Sequence, residues 1–83
     1  MYSAYLMAKL MLTVIIWKEG DKYVSKCPEL EIASCGDSVE SALENLKEAV
    51  ELYLENAKEL GLIEEIPEFA FEKKLVSVFE ITI

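Results

Sequence analysis

Two cysteines, a crowd of carboxylates, several serines and a set of lysines are the side chains of this sequence that could support chemistry; it contains no His and no Arg. Cys27 and Cys35 are close in the chain, but a tetrahedral zinc site needs four ligands and no other Cys or His is present to complete one. Their spacing is not Cys-x-x-Cys, so it gives no support for a thioredoxin-type centre. A cross-strand disulfide is geometrically possible. A reducing compartment disfavours it, and two small, partly buried structural thiols are expected.

The carboxylates Asp37, Glu40, Glu44, Glu48, Glu51 and Glu55 recur at spacings of three and four, which gathers several on one helical flank. Such a flank is either a solvated face, partly balanced by Lys47 and Lys58, or a surface that meets a basic protein. Like charges four apart cost a few tenths of a kcal/mol each, and a basic partner relieves that cost. Ser34, Ser38 and Ser41 have no histidine base, and no Ser-x-x-Lys spacing occurs. Three glycines cannot build a phosphate-cradling loop. No catalytic residue, metal ligand set or cofactor site is therefore expected, and the protein reads as a non-enzyme.

Composition narrows the partner. Sixteen acids against eight lysines leave a net charge of −8, which repels phosphate backbones and favours a basic protein. Without arginine there is no bidentate reader of guanine or phosphate, so direct nucleic-acid binding is not expected. The opening "MYSAYLMAKLMLTVIIW" has no basic residue ahead of its apolar run, is interrupted by Lys9 and is too short to span a bilayer. Residues 1–9 are expected to be a ragged N-terminus, and the protein cytoplasmic with no membrane association.

These groups need a scaffold, and 83 residues make one domain, 1–83. "LMLTVIIWK" (10–18) is β-branched and aromatic, as a strand buried on both faces would be. "EGD" then supplies a hairpin turn with Gly20 free to take positive φ. "KYVSKC" (22–27) alternates, with Tyr23, Ser25 and Cys27 on one side, and Pro28 ends the ladder. "IASCG" is a third short strand. Ser38 caps a helix, with Asp37 and Glu40 as an alternative capping pair, whose stripe runs through Val39, Ala42, Leu43, Leu46, Ala49, Val50, Tyr53, Ala57 and Leu60 to Gly61 in the C′ position. Leu43, Leu46, Val50 and Tyr53 are expected to be buried against the sheet. Residues 63–73 form a connector, and "LVSVFEITI" (75–83) reads as a last strand. The expectation is an α+β, two-layer β-β-β-α-β domain: a three-stranded antiparallel meander plus a C-terminal strand beside the first, with one long helix across one face.

The stretch "DKYVSKCPELEIASCGDSVESALENLKEAVELYL" (21–54) resembles the HicB-like antitoxin family, with its pattern "GYVAxCPELGVxSQGDTxEEALxNIKEAIELYL". This sequence departs from it at Glu31, where the pattern has glycine, at Cys35, at Ser38 and at Ser41, the last expected to weaken the capping box. The resemblance implies a partial RNase H-like fold. It also implies a partner, a HicA-type basic ribonuclease that cleaves mRNA and is inhibited when the antitoxin covers its active face. The surface expected to meet the ribonuclease is Glu29, Asp37, Glu40, Glu44 and Glu48. Many members append a DNA-binding segment after the final strand; here that strand is expected to run to Ile83, a stand-alone form. The alternative is an orphan oligomeric scaffold that has no toxin partner.

A homodimer or higher homo-oligomer is expected in either case. Both faces of the first and last strands are apolar, and one helix covers only one face. Met11, Ile15, Trp17, Val76 and Val78 are left as a patch larger than a soluble monomer usually exposes. Phe69 and Phe71 of the connector are the competing cover.

Overall fold

The computed structural model describes residues 10–62, 66, 70 and 72–83. The expectations for residues 1–9 and for Phe69 and Phe71 as a cover fall outside these. Strands β1 (Ile15–Glu19), β2 (Lys22–Cys27) and β3 (Ile32–Gly36) precede one helix, α1 (Val39–Glu59). The strands form an antiparallel meander in the order β1-β2-β3, and α1 packs on it, giving an α+β fold.

The β1–β2 loop is Gly20 and Asp21, with Gly20 at φ 64, the positive value that a two-residue hairpin of type II′ requires at its first position. The register aligns Ile16, Ser25 and Ser34 across the sheet, and beside them Trp17, Val24 and Cys35. Because side chains alternate, the first row turns to the helix and the second to the opposite face. Ser25 is fully buried there, and its hydroxyl donates to the carbonyl of Ala42 at 2.8 Å. Asn45 Nδ2 donates to the carbonyl of Cys35 at 2.8 Å, tying α1 to β3 a second time.

Helix α1 begins and ends as its sequence predicts, with one correction. Ser38 is the N-cap, and Ser41 completes a capping box instead of weakening it: the Ser41 amide donates to Ser38 Oγ at 3.1 Å and the Ser38 amide to Ser41 Oγ at 3.0 Å. A serine hydroxyl at the third helical position reaches back as a Glu or Gln would. Asp37 does not cap; it pairs with Lys22. At the other end Gly61 has φ 72, its amide donates to Lys58 O at 3.2 Å, and the Leu62 amide donates to Ala57 O at 2.7 Å, the two bonds of a Schellman motif.

Of the apolar stripe, Ala42, Leu46, Val50 and Ala57 are buried. Cys27, Leu46 and Val50 form the centre of the core, with Leu12, Leu30, Ile32 and Leu54 packed around them. Leu43 and Tyr53 are not buried, at 40% and 43% exposure. Tyr53 lies where the helix has outrun its support: 21 residues rise ~31 Å, against roughly 17–20 Å for a strand of five or six residues. Leu43 lies on the flank next to β1, the strand that the helix touches least.

Two expectations about strands are corrected. β1 starts at Ile15, not Leu10, because the ladder meets a residue with no amide hydrogen: continuing the register places Pro28 opposite Thr13. The backbone ahead of β1 finds other partners, Thr13 N donating to Glu29 Oε1 at 3.0 Å and Met11 N to Ala70 O at 2.8 Å. Residues 75–83 do not form a fourth strand; they carry no secondary structure and are all exposed. Beyond Lys74 the chain leaves the edge of β1, and a strand without a partner has nothing to satisfy its amides except water.

Close approach of α1 to β3 depends on Gly36. A β-carbon there would clash with Ser41 Oγ and lie 2.6 Å from the backbone nitrogen of Ala42 and 2.8 Å from the carbonyl carbon of Ser41. Backbone cannot swing aside as a flexible side chain can. Gly36→Ala is therefore expected to lower stability by about 1–3 kcal/mol, as overpacking does, and urea melts check it; a midpoint equal to that of the parent protein would show that the joint has slack.

Candidate functional site

The carboxylates of α1 form an extended feature of one sign. Glu40, Glu44, Glu48, Glu51 and Glu55 follow at intervals of four, four, three and four, and all are exposed. That spacing places them on one face, opposite Ala42, Leu46, Val50 and Ala57, which hold the helix to the rest of the protein. Among the described residues the ion pairs are Lys22–Asp37 and Lys74–Glu29, so the stripe carries no internal neutralisation of that kind. Glu51 and Glu55 follow on the same face, and the spacing of three and four in the sequence marks them.

Asp37 sits beside the start of this face but is engaged. Its carboxylate accepts from Lys22 Nζ at 2.5 Å, and both side chains are exposed. The contact holds the Asp37 carboxyl below its ordinary range and raises the Lys22 ammonium above its own.

Glu29, expected on the same surface, is elsewhere. It is only 7% exposed. Oε1 accepts from the Thr13 amide at 3.0 Å and from Cys27 Sγ at 3.6 Å, and Oε2 accepts from Thr13 Oγ1 at 2.5 Å. Lys74 Nζ lies 3.3 Å from Oε2 and also donates to the carbonyls of Met11 and Glu72. Burial alone would push this carboxyl up; the hydroxyl and amide of Thr13, with help from Lys74, outweigh it and bring it down to about 2. Glu29 is thus an ionised anchor joining three segments: the lead-in to β1, the end of β2 and the start of the C-terminal stretch. Nothing in the local sequence marks this, because the partners come from residues far away in the chain.

The same anchor occupies Cys27. Its thiol is buried and pushed up by that burial, which keeps it protonated and a poor nucleophile. Cys35 is exposed on the opposite face of the sheet. Both are free thiols, and because they point to opposite faces they cannot join within one chain. Among the described residues no group of three or more Cys, Asp or Glu side chains is arranged to hold a metal ion.

The expected oligomer patch is exposed at each of its positions: Met11, Ile15, Trp17, Val76 and Val78. Ile15 and Trp17 lie on the sheet face away from α1, with Val24 and Cys35 in the row of Trp17. Trp17 Nε1 donates to Glu19 Oε2 at 2.8 Å, so the one polar atom of that ring is satisfied at the rim. No helix among the described residues is long and apolar enough to cross a membrane.

Compared with protein families, with curated proteins and with solved structures, the chain matches none.

Proposed function

We propose that this protein is a HicB-like antitoxin, acting in the cytoplasm, that binds a HicA-type ribonuclease and inhibits it by covering its active face, with no catalysis of its own. The observation that carries the reading is the carboxylate face of α1, Glu40, Glu44, Glu48, Glu51 and Glu55, exposed and turned away from the sheet. A row of like charges is a cost to the isolated helix and becomes a gain against a basic surface, where complementary potentials speed encounter and set register. A second observation is compatible with it. Glu31 has φ 55, the left-handed region, at the position where the HicB-like pattern has glycine. A non-glycine residue there costs roughly 1–2 kcal/mol, so a glycine, as in that pattern, would suit this backbone. The same reading makes the domain partial RNase H-like, with a fourth strand taking the edge of β1 that the meander leaves free.

The experiment is a titration of a HicA-type ribonuclease cleaving mRNA. The protein is expected to suppress cleavage at equimolar concentration. The triple variant Glu40→Lys, Glu44→Lys, Glu48→Lys is expected to slow association by about tenfold or more at low ionic strength, an effect that fades in high salt. An unchanged association rate would move the contact off this helix face. Full cleavage in the presence of excess protein would remove the antitoxin reading and leave the oligomeric scaffold.

A further inference from the structure

Among the described residues, the C-terminal residues 75–83 are an apolar segment without a partner, and the sheet has an edge without a partner. Leu75, Val76, Val78, Phe79, Ile81 and Ile83 are all exposed, Phe79 at 83% and Val78 at 93%. So much apolar surface in one short stretch is abnormal for a chain that stays alone in water. The molecule measures 50 × 27 × 17 Å. Its longest dimension exceeds the ~31 Å of a 21-residue helix, and its radius of gyration of 14.8 Å exceeds the roughly 12 Å of a compact chain of this length. With Leu75 at 95% and Ile81 at 70% exposure as well, the segment is not packed on the body.

Its departure point is fixed. Lys74 is held by the carbonyls of Met11 and Glu72 and by the Glu29 carboxylate, at the end of the sheet where β1 begins. From this anchor the following residues pass Thr13, Ile15 and Pro28 and then leave the surface, without pairing to the edge of β1 in their own chain. That edge is prepared for a strand. On its helix side lies a pocket of about 190 Å³ lined mainly by apolar side chains, among them Leu12, Val14, Leu43, Leu46 and Val50, with Lys47 and Glu51 also in its lining, where a fourth strand would place its inward residues. On its other side Ile15 and Trp17 are exposed. At the other edge of the sheet, α1 packs most heavily over β3.

The tail matches both sides of that edge. In a strand, Leu75, Ser77, Phe79 and Ile81 point one way and Val76, Val78, Glu80 and Thr82 the other. The first set supplies large apolar groups for the pocket. The second sets Val76 and Val78 beside Ile15 and Trp17, then turns polar towards solvent.

We propose that the C-terminal segment of each copy adds as a fourth strand to the β1 edge of a second copy, so that two chains exchange tails in a two-fold dimer. Residues 75–83 extend far enough for this, since nine residues reach about 30 Å. Exchange of an identical element is a low-cost route to a dimer, because the bonds formed are those a single chain would make. It buries both the tail and the patch around Ile15 and Trp17, and leaves Glu40, Glu44, Glu48 and Glu55, which do not line the pocket, free. The inference stands independently of the ribonuclease proposed above.

Two measurements on the full chain test it. Sedimentation equilibrium at micromolar concentration is expected to give twice the monomer mass of 9.4 kDa. Phe79→Asp with Ile81→Asp should raise the dissociation constant at least about 100-fold, because two apolar side chains are lost from the interface. Circular dichroism of that variant should keep the signal of α1, since neither residue touches the core. In a mixture of isotope-labelled and unlabelled protein, filtered NOEs are expected between the Phe79 ring of one copy and the Leu43 and Val14 methyls of the other. A strictly monomeric parent protein, a dimer indifferent to the double substitution, or Phe79 contacts confined to one chain would each overturn the exchange.

Discussion

Leu46→Ala should cost about 2–5 kcal/mol, the range for emptying a buried leucine site. Leu46 is 1% exposed and sits with Cys27 and Val50 at the centre of the core. Its neighbours cannot collapse easily into the vacancy. On the sheet side Cys27 is held by its contact to Glu29, and the nearby helix is tied to Ser25 through the Ala42 carbonyl and to Cys35 through the Asn45 side chain. A domain this small has about 5–10 kcal/mol in all, so the substitution removes a large share of it. Leu43→Ala, on the same stripe, is expected to cost about 1 kcal/mol or less in the monomer, because that side chain is already half in water. Urea melts of the two variants side by side make the comparison. Equal losses would mean that the pocket flank bearing Leu43 is covered in solution, as the exchanged tail would cover it, and dilution below the dimer range should then restore the difference.

The second large effect is electrostatic. Glu29→Gln is expected to destabilise the fold by about 3 kcal/mol at neutral pH, the worth of a shift from 4.5 to about 2 at about 1.4 kcal/mol per pH unit. Glutamine keeps the volume, but it loses the charge facing Lys74. It also turns a donor towards a site where Thr13 offers an amide and a hydroxyl, both donors. The sign follows from the direction of the shift. The folded carboxyl titrates below the unfolded one, so its stabilisation is complete above about 4.5 and is lost as pH falls through about 2. The parent protein should show a falling limb of stability across that window, and Glu29→Gln should lack that component of it. Denaturant melts at a series of pH values from neutral to strongly acidic read this directly. A parallel fall in both proteins would place the acid sensitivity in other carboxylates.

These two residues mark the boundary between what is legible in a sequence and what is not. Leu46 lies on a stripe of spacing three and four that can be read from its neighbours. Glu29 looks like any other carboxylate in "CPELE". Its partners, Thr13 and Lys74, come from the lead-in to the sheet and from the C-terminal stretch, and only the folded chain brings them together. The helix stripe itself was legible in direction but not in extent. Period alone cannot tell that the sheet beneath Tyr53 has ended, or that β1 leaves Leu43 uncovered.

What the sequence by itself determined is local. The hairpin at Gly20, the strand at "KYVSKC" with its inward Ser25 and Cys27, the Ser38 cap and the Gly61 stop each depend on residues a few positions apart, where backbone sterics and side-chain period act directly. The lack of histidine and arginine is a matter of composition, and it narrowed the possible chemistry before any fold was known. The tertiary structure alone decided where β1 begins, which carboxylate is buried and ionised, and that "LVSVFEITI" is unpaired among the described residues. A strand needs hydrogen-bonding groups from another segment. A β-rich apolar run states that it could pair, while the anchoring of Lys74 at one end of the sheet decides what lies within its reach.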